Sequence, residues 1–279
     1  ETEEFITPSS MIWQYPGTHF ICGSANRLDM FDVSGHASDG PILTMPTIPS
    51  KRHIMKGGGV GMKGTVSALD QCGAESLIAA GTWTRWIGLY DLWRTDKTVA
   101  NWSIAQAADE QKLGGQGIAQ AIWSPDGRYL VVNERHASGL MVYDVRGTSQ
   151  LLSTLQGRKA DTQQRLHCDV YQGQDGGLEV WAGSKDGSVQ IWENVGLHGD
   201  LDARPSWGWK GHESPVGSVG LHSSGSVIAT VSGGWEHPET SGDEDQLASH
   251  DRTAVSTLSE SSLKLWAMNP SSEDKDTHE

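Results

Sequence analysis

Two sets of side chains in this 279-residue sequence are equipped to bind a ligand by charge or stacking. The first is cationic. Lys51, Arg52, Lys56 and Lys63 sit in "KRHIMKGGGVGMKG" (51–64), a glycine-rich stretch whose backbone amides can approach a phosphate closely. Arg158, Lys159 and Arg165 follow in "QGRKADTQQR" (156–165). Clustered cations in surface links form the electrostatic footprint of an RNA-binding rim. The alternative is a solvated loop that balances nearby acids. The second set is the turn Trp83-Thr84-Arg85 in "LIAAGTWTRWIGLYD", where a hairpin tip ordinarily carries Asn, Asp or Gly. Trp stacks on a base or a peptide group and Arg adds charge, which makes Trp83 and Arg85 candidates for a protein-binding platform. The alternative is packing beneath a neighbouring element, the reading given to Trp86.

Other chemistry is not encoded. Gly59 to Gly64 matches GxGxxG, but it precedes the β-like run "TVSALD" rather than opening a helix, as dinucleotide binding requires. No Gly-Lys-Ser/Thr phosphate loop, no G-x-S-x-G elbow and no Cys/His metal spacing occurs. The expectation is a non-catalytic protein without cofactor, metal or small-molecule substrate.

The elements that would hold these residues form a repeat. "HFICGSANRLDMFDV", "LIAAGTWTRWIGLYDL", "LVVNERHASGLMVYDV" and "VWAGSKDGSVQIWEN" each pair an apolar strand with a second strand closing on an aromatic and an acid. A fifth copy is split between "VIATVSGGW" and "SSLKLWAM". The closing aromatics Phe31, Tyr90, Tyr143, Trp192 and Trp266 lie 59, 53, 49 and 74 residues apart. A Gly211-His212 pair, further strands such as "IAQAIWSPDGRYLVV", and the aromatic-acid ending are the signature of WD-repeat blades. The fold class is therefore all-β, a WD-repeat β-propeller with five copies visible over 1–268. An acidic insertion, 237–262, interrupts the last copy, and 269–279 is an acidic tail; both are expected to be disordered. Taking each copy as the outer, c–d hairpin of its blade puts the Trp83 tip on the face opposite the cationic d–a links. His212 is expected to tie strands together within its blade.

Composition agrees. There are 34 glycines and 12 tryptophans, and no apolar run approaches a membrane span. Three scattered cysteines argue against a disulfide framework. The net charge of −14 conceals an uneven distribution: 51–165 holds 14 basic and 10 acidic residues, whereas 166–279 holds six and 19.

Several segments, "IPSKRHIMKGGGVGMKGTVSAL", "AAGTWTRWIGLYDL", "WSPDGRYLVVNERHASGLMVYDVRGT" and "DTQQRLHCDV", resemble the WD-repeat family of the telomerase Cajal body protein, especially its fungal relatives linked to mRNA splicing. The resemblance covers most of 11–235. It implies a nuclear scaffold that binds small nuclear or Cajal-body RNA and ribonucleoprotein proteins. It also implies two further blades before residue 11, so that the five copies would be the C-terminal part of a seven-bladed propeller. The competing expectation is a generic WD-repeat adaptor that binds only proteins.

Overall fold

The computed structural model describes residues 6–14, 17–36, 40–48, 62–73, 76–94, 98–173, 176–197, 201–234 and 260–268. Lys51, Arg52 and Lys56, most of the acidic insertion and the tail lie outside the described residues.

The described chain forms five successive antiparallel sheets. The first contains β1 (Ser10–Gln14), β2 (His19–Ser24), β3 (Arg27–Asp32) and β4 (Leu43–Pro46). The second contains β5 (Val66–Gln71), β6 (Leu77–Thr82), β7 (Trp86–Asp91) and β8 (Thr98–Ser103), followed by a one-and-a-half-turn helix α1 (Ala105–Glu110). The third contains β9 (Ile118–Trp123), β10 (Tyr129–Glu134), β11 (Leu140–Asp144) and β12 (Leu151–Leu155). In the fourth are β13 (Cys168–Gln172), β14 (Leu178–Gly183) and β15 (Ser188–Val195). The chain then reaches back, and β16 (Asp202–Ala203) pairs in parallel with β12 of the third sheet. It returns as β17 (Trp207–Lys210), which completes the fourth sheet. Three strands, β18 (Val216–Leu221), β19 (Val227–Ser232) and β20 (Ser262–Ala267), make the fifth.

Strict alternation of side chains explains why the strands read as continuous apolar runs. On β6, Ile78 and Ala80 pack against the first sheet, while Ala79 packs against the third. On β10, Leu130 and Val132 face the second sheet and Val131 the fourth. On β14, Val180 and Ala182 face back and Trp181 forward. The core is thus a series of four inter-sheet layers. This arrangement of repeated four-stranded sheets is compatible with a WD-repeat propeller.

The glycine near the end of the first strand in three of the copies has a steric cause. A Cβ on Gly23 would lie 2.7 Å from Val66 Cγ1, one on Gly81 2.5 Å from Ile118 Cγ2, and one on Gly183 2.6 Å from Val216 Cγ1. Each partner belongs to the first strand of the next sheet, so glycine sets the approach distance between sheets.

One strand assignment changes. Strand order β5-β6-β7-β8 makes the Trp83 hairpin the second and third strands of its sheet, with an outer strand still to come. The turn is therefore b–c, not c–d. The outer strands β4, β8 and β17 escaped notice because they are mostly exposed and lack an apolar run. The consequence is geometric: b–c turns and the links between sheets share a face, so the Trp83 tip and the cationic links lie together.

The insertion also begins to pack earlier than expected. Glu260 accepts from Lys264 Nζ at 2.8 Å and meets His212 Nδ1 at 3.0 Å. His212 is buried, and its Nε2 lies 2.7 Å from Thr230 Oγ1, to which Trp266 Nε1 donates at 2.8 Å.

Candidate nucleic-acid interface

Trp83 is 36% exposed, and two guanidiniums lie close to its ring. Arg135 is 5.0 Å and Arg165 is 5.9 Å from the ring centroid. Trp83 follows the b strand of the second sheet, Arg135 follows the b strand of the third, and Arg165 belongs to the link entering the fourth. The Trp83 tip is fixed by its neighbours: Trp83 N donates to Thr65 O at 3.1 Å, and Thr84 Oγ1 donates to Lys63 O. Lys63 therefore stands beside the tip. Arg135 is held by Nη2, which donates to Gln163 O at 2.7 Å and to Gln163 Oε1 at 3.2 Å.

Arg85 does something else. Its backbone takes the left-handed conformation, φ 65°, and turns the side chain inward. Nε and Nη2 donate to the two carboxylate oxygens of Glu134 at 2.8 and 3.0 Å, and Nη2 also donates to Gly114 O at 2.8 Å. Asp109, on α1, lies 3.4 Å from Nη1. Burial opposes the charge on Arg85, but the hydrogen bonds and charge of Glu134 outweigh it and hold the guanidinium above its ordinary pKa. Arg85 ties the second sheet to the third and presents no free fork to a partner.

Arg158 also turns inward. It is 3% exposed, and its donors reach Gly183 O at 2.7 Å, Asn133 Oδ1 at 3.0 Å and Leu166 O at 2.6 Å. Burial pushes its pKa down to about 10. Lys159 points outward, 3.0 Å from Asp186 Oδ2. Beyond it an open groove of about 520 Å³ is lined by Ser138, Arg158, Lys159, Ala160, Asp161, Lys185 and Asp186.

The structure thus gathers Lys63, Trp83 and Arg165 in one place, sets Lys159 farther along the same face, and uses Arg85 and Arg158 as internal ties. Arg135 was not singled out in the sequence. The signal was present: where the first, second and fourth copies read Gly-Ser or Gly-Thr, the third reads Asn133-Glu134-Arg135. That break in the repeat supplies a ligand for Arg158, a partner for Arg85 and a guanidinium for Trp83.

Among the described residues, no group of three or more His, Cys, Asp or Glu side chains is placed to hold a metal, and no helix is long and apolar enough to cross a membrane.

Repeated blade-like sheets with aromatic-acid endings are compatible with the WD-repeat class of propellers. Within it, the chain is similar to telomerase Cajal body protein 1. It is 26% identical over 248 residues to the Homo sapiens protein and 27% over 249 residues to that of Rattus norvegicus, in each case across 88% of this chain. It is also similar to guanine nucleotide-binding protein negative regulator 1 of Schizosaccharomyces pombe, 27% identical over 182 residues and 65% of the chain. The chain spans only 40–42% of the length of these relatives. No protein-family model matches it.

Proposed function

We propose that the face carrying the b–c turns binds single-stranded RNA, and that the chain is a non-catalytic, nuclear WD-repeat scaffold. It would bring a small nuclear or Cajal-body RNA together with ribonucleoprotein proteins in ribonucleoprotein biogenesis or splicing. The observation that carries this reading is the partly exposed Trp83 ring with Arg135 and Arg165 beside it. An indole offers every base a stacking surface and is therefore tolerant of sequence. The guanidiniums beside it neutralise the adjoining phosphates and stack in their own right. Lys63 and Lys159 extend the cationic path; Lys51, Arg52 and Lys56, which lie outside the described residues, are proposed RNA contacts from the sequence alone. Arg158 and Arg85 support the face from within. The similarity to telomerase Cajal body protein 1 supports a ribonucleoprotein setting for this face.

Ultraviolet crosslinking in nuclear extract, followed by sequencing of the RNA recovered with the intact protein, tests this reading. Enrichment of small nuclear or Cajal-body RNA, lost in Trp83→Ala, is the expected result.

A protein-only adaptor is favoured by a different feature. Val227, Val231, Leu263 and Leu265 are exposed on one face of the fifth sheet, and Met11 and Trp13 are exposed on the first. The regulator similarity from Schizosaccharomyces pombe points the same way. Recovery of protein partners without any enriched RNA would favour the adaptor.

A further inference from the structure

Between the third and fourth sheets a water-sized notch of about 10 Å³ opens to solvent, with Asn133, Glu134, Arg135, Arg158, Gln164 and Arg165 among its lining residues. Three guanidiniums border it. Its one carboxylate, Glu134, is already held bidentately by Arg85. The charge of the notch is therefore uncompensated.

Arg158 is the telling residue. All three of its hydrogen bonds go to neutral oxygens. A guanidinium has five N–H donors, so one on each terminal nitrogen remains without an assigned acceptor. A cation this deeply buried is costly unless an anion accompanies it. Arg135 adds a further unmet donor, because its Nε is buried without a hydrogen-bond partner. Arg165 stands exposed at the mouth, where it also overlies Trp83. This cluster exists only where Asn133 replaces the glycine that closes the corresponding approach at Gly23, Gly81 and Gly183.

We propose that this notch is a phosphate site, in which one oxygen enters between Arg135 and Arg158 while the rest of the group stays at the mouth beside Arg165. Planar guanidinium forks match the several acceptor oxygens of a phosphate, and no single-atom anion engages them as fully. The phosphate can come from a free ion or from the backbone of a bound nucleic acid, since both present the same non-bridging oxygens. The inference does not require the RNA reading, because inorganic phosphate alone is the first probe.

The test is thermal unfolding of the whole chain in inorganic phosphate, chloride and acetate at matched ionic strength and pH. A ligand that binds only the folded state raises Tm in a saturable way. Phosphate is expected to raise Tm by several degrees, with chloride and acetate leaving it within about one degree. The His167 imidazole gives a second readout. Burial, and then the charges of Arg165 and Arg158, hold its pKa below the ordinary value, and bound phosphate should move it upward. Arg165→Gln, at the exposed edge, should leave the ligand-free Tm unchanged and weaken the phosphate response at least fivefold. A single-stranded RNA that displaces phosphate would identify the backbone as its source; RNA that binds without displacing it would identify the free ion. Equal stabilisation by chloride, or no response to any anion in either readout, would overturn the site.

Discussion

Arg135 lies 5.0 Å from the Trp83 ring centroid although the two residues belong to turns of different sheets. Neither turn alone makes the stacking face. It arises because successive b–c turns project the same way, so that the tip of the second sheet reaches under that of the third.

Trp83→Ala should separate binding from stability. About a third of the residue is in solvent, so truncation should cost about 1–2 kcal/mol, less than the roughly 3–5 kcal/mol typical of a buried Trp. RNA affinity should fall by about 1–3 kcal/mol, the worth of one stacked base. Denaturant unfolding and equilibrium binding measure the two effects, and a stability loss in the buried range would defeat the stacking role.

Cations on this face should differ in kind. Lys159→Gln and Lys63→Gln should each flatten the salt dependence of single-strand RNA binding by roughly 0.7 in the log–log slope. Arg158→Met should instead lower stability by roughly 2–4 kcal/mol, because it takes the guanidinium donor from Asn133 Oδ1 and Gly183 O and leaves Leu166 O with Asn133 Nδ2 alone. Binding titrations at several salt concentrations, beside melts of the same variants, distinguish a contact from a tie.

Gly81→Ala should destabilise by roughly 1–3 kcal/mol, the usual cost of an overpacked core. Its Cβ would fall 2.5 Å from Ile118 Cγ2 and force the second and third sheets apart. A double-mutant cycle in which the cost of Gly81→Ala shrinks in an Ile118→Ala background would identify the contact responsible.

Acid should loosen the fifth sheet. Hydrogen bonds from Lys264, then Ser262, the Glu213 backbone and His212, hold the Glu260 carboxyl well below the ordinary carboxylate range. A depressed carboxylate contributes stability that is present above its unfolded pKa and lost as pH falls toward the folded value. Stability should therefore decline below about pH 4.3, the ordinary Glu value, and Glu260→Gln should show a shallower decline. An identical acid limb in the two proteins would remove Glu260 from the account.

The exposed apolar faces should drive self-association of the isolated chain. Leu263 and Leu265 are 64% and 68% exposed on one side of β20, beside Val227 and Val231. Sedimentation should show concentration-dependent association that Leu263→Lys with Leu265→Lys reduces. A monomer at all concentrations would contradict this.

The repeat was legible because alternation of buried residues and aromatic-acid endings are local features, written in consecutive residues. Phe31, Tyr90, Tyr143, Trp192 and Trp266 all close the third strands of their sheets. The outer strands were not legible, since an exposed strand such as β17 carries little hydrophobic pattern. That omission shifted the strand count by one and put Trp83 on the wrong face. The roles of Arg85 and Arg158 were hidden for a different reason. An arginine in a polar turn looks the same whether its fork points outward or folds back, and only tertiary acceptors such as Glu134 and Leu166 O decide.

The backward excursion of β16 has a mechanical consequence. Thr154 N donates to Leu201 O at 2.6 Å and Gln156 N to Ala203 O at 2.9 Å, while Asp202 accepts from both side chains. The fourth sheet's own chain is thereby stitched to the rim of the third, like a lap joint rather than a butt joint. Under tension from the C-terminus, the fifth sheet can peel away alone, but unravelling the fourth past β17 must also tear a strand from the third. The seam that holds Arg158, Asn133 and the phosphate notch is consequently the one that a pulling force, or a translocating unfoldase, would find hardest to open.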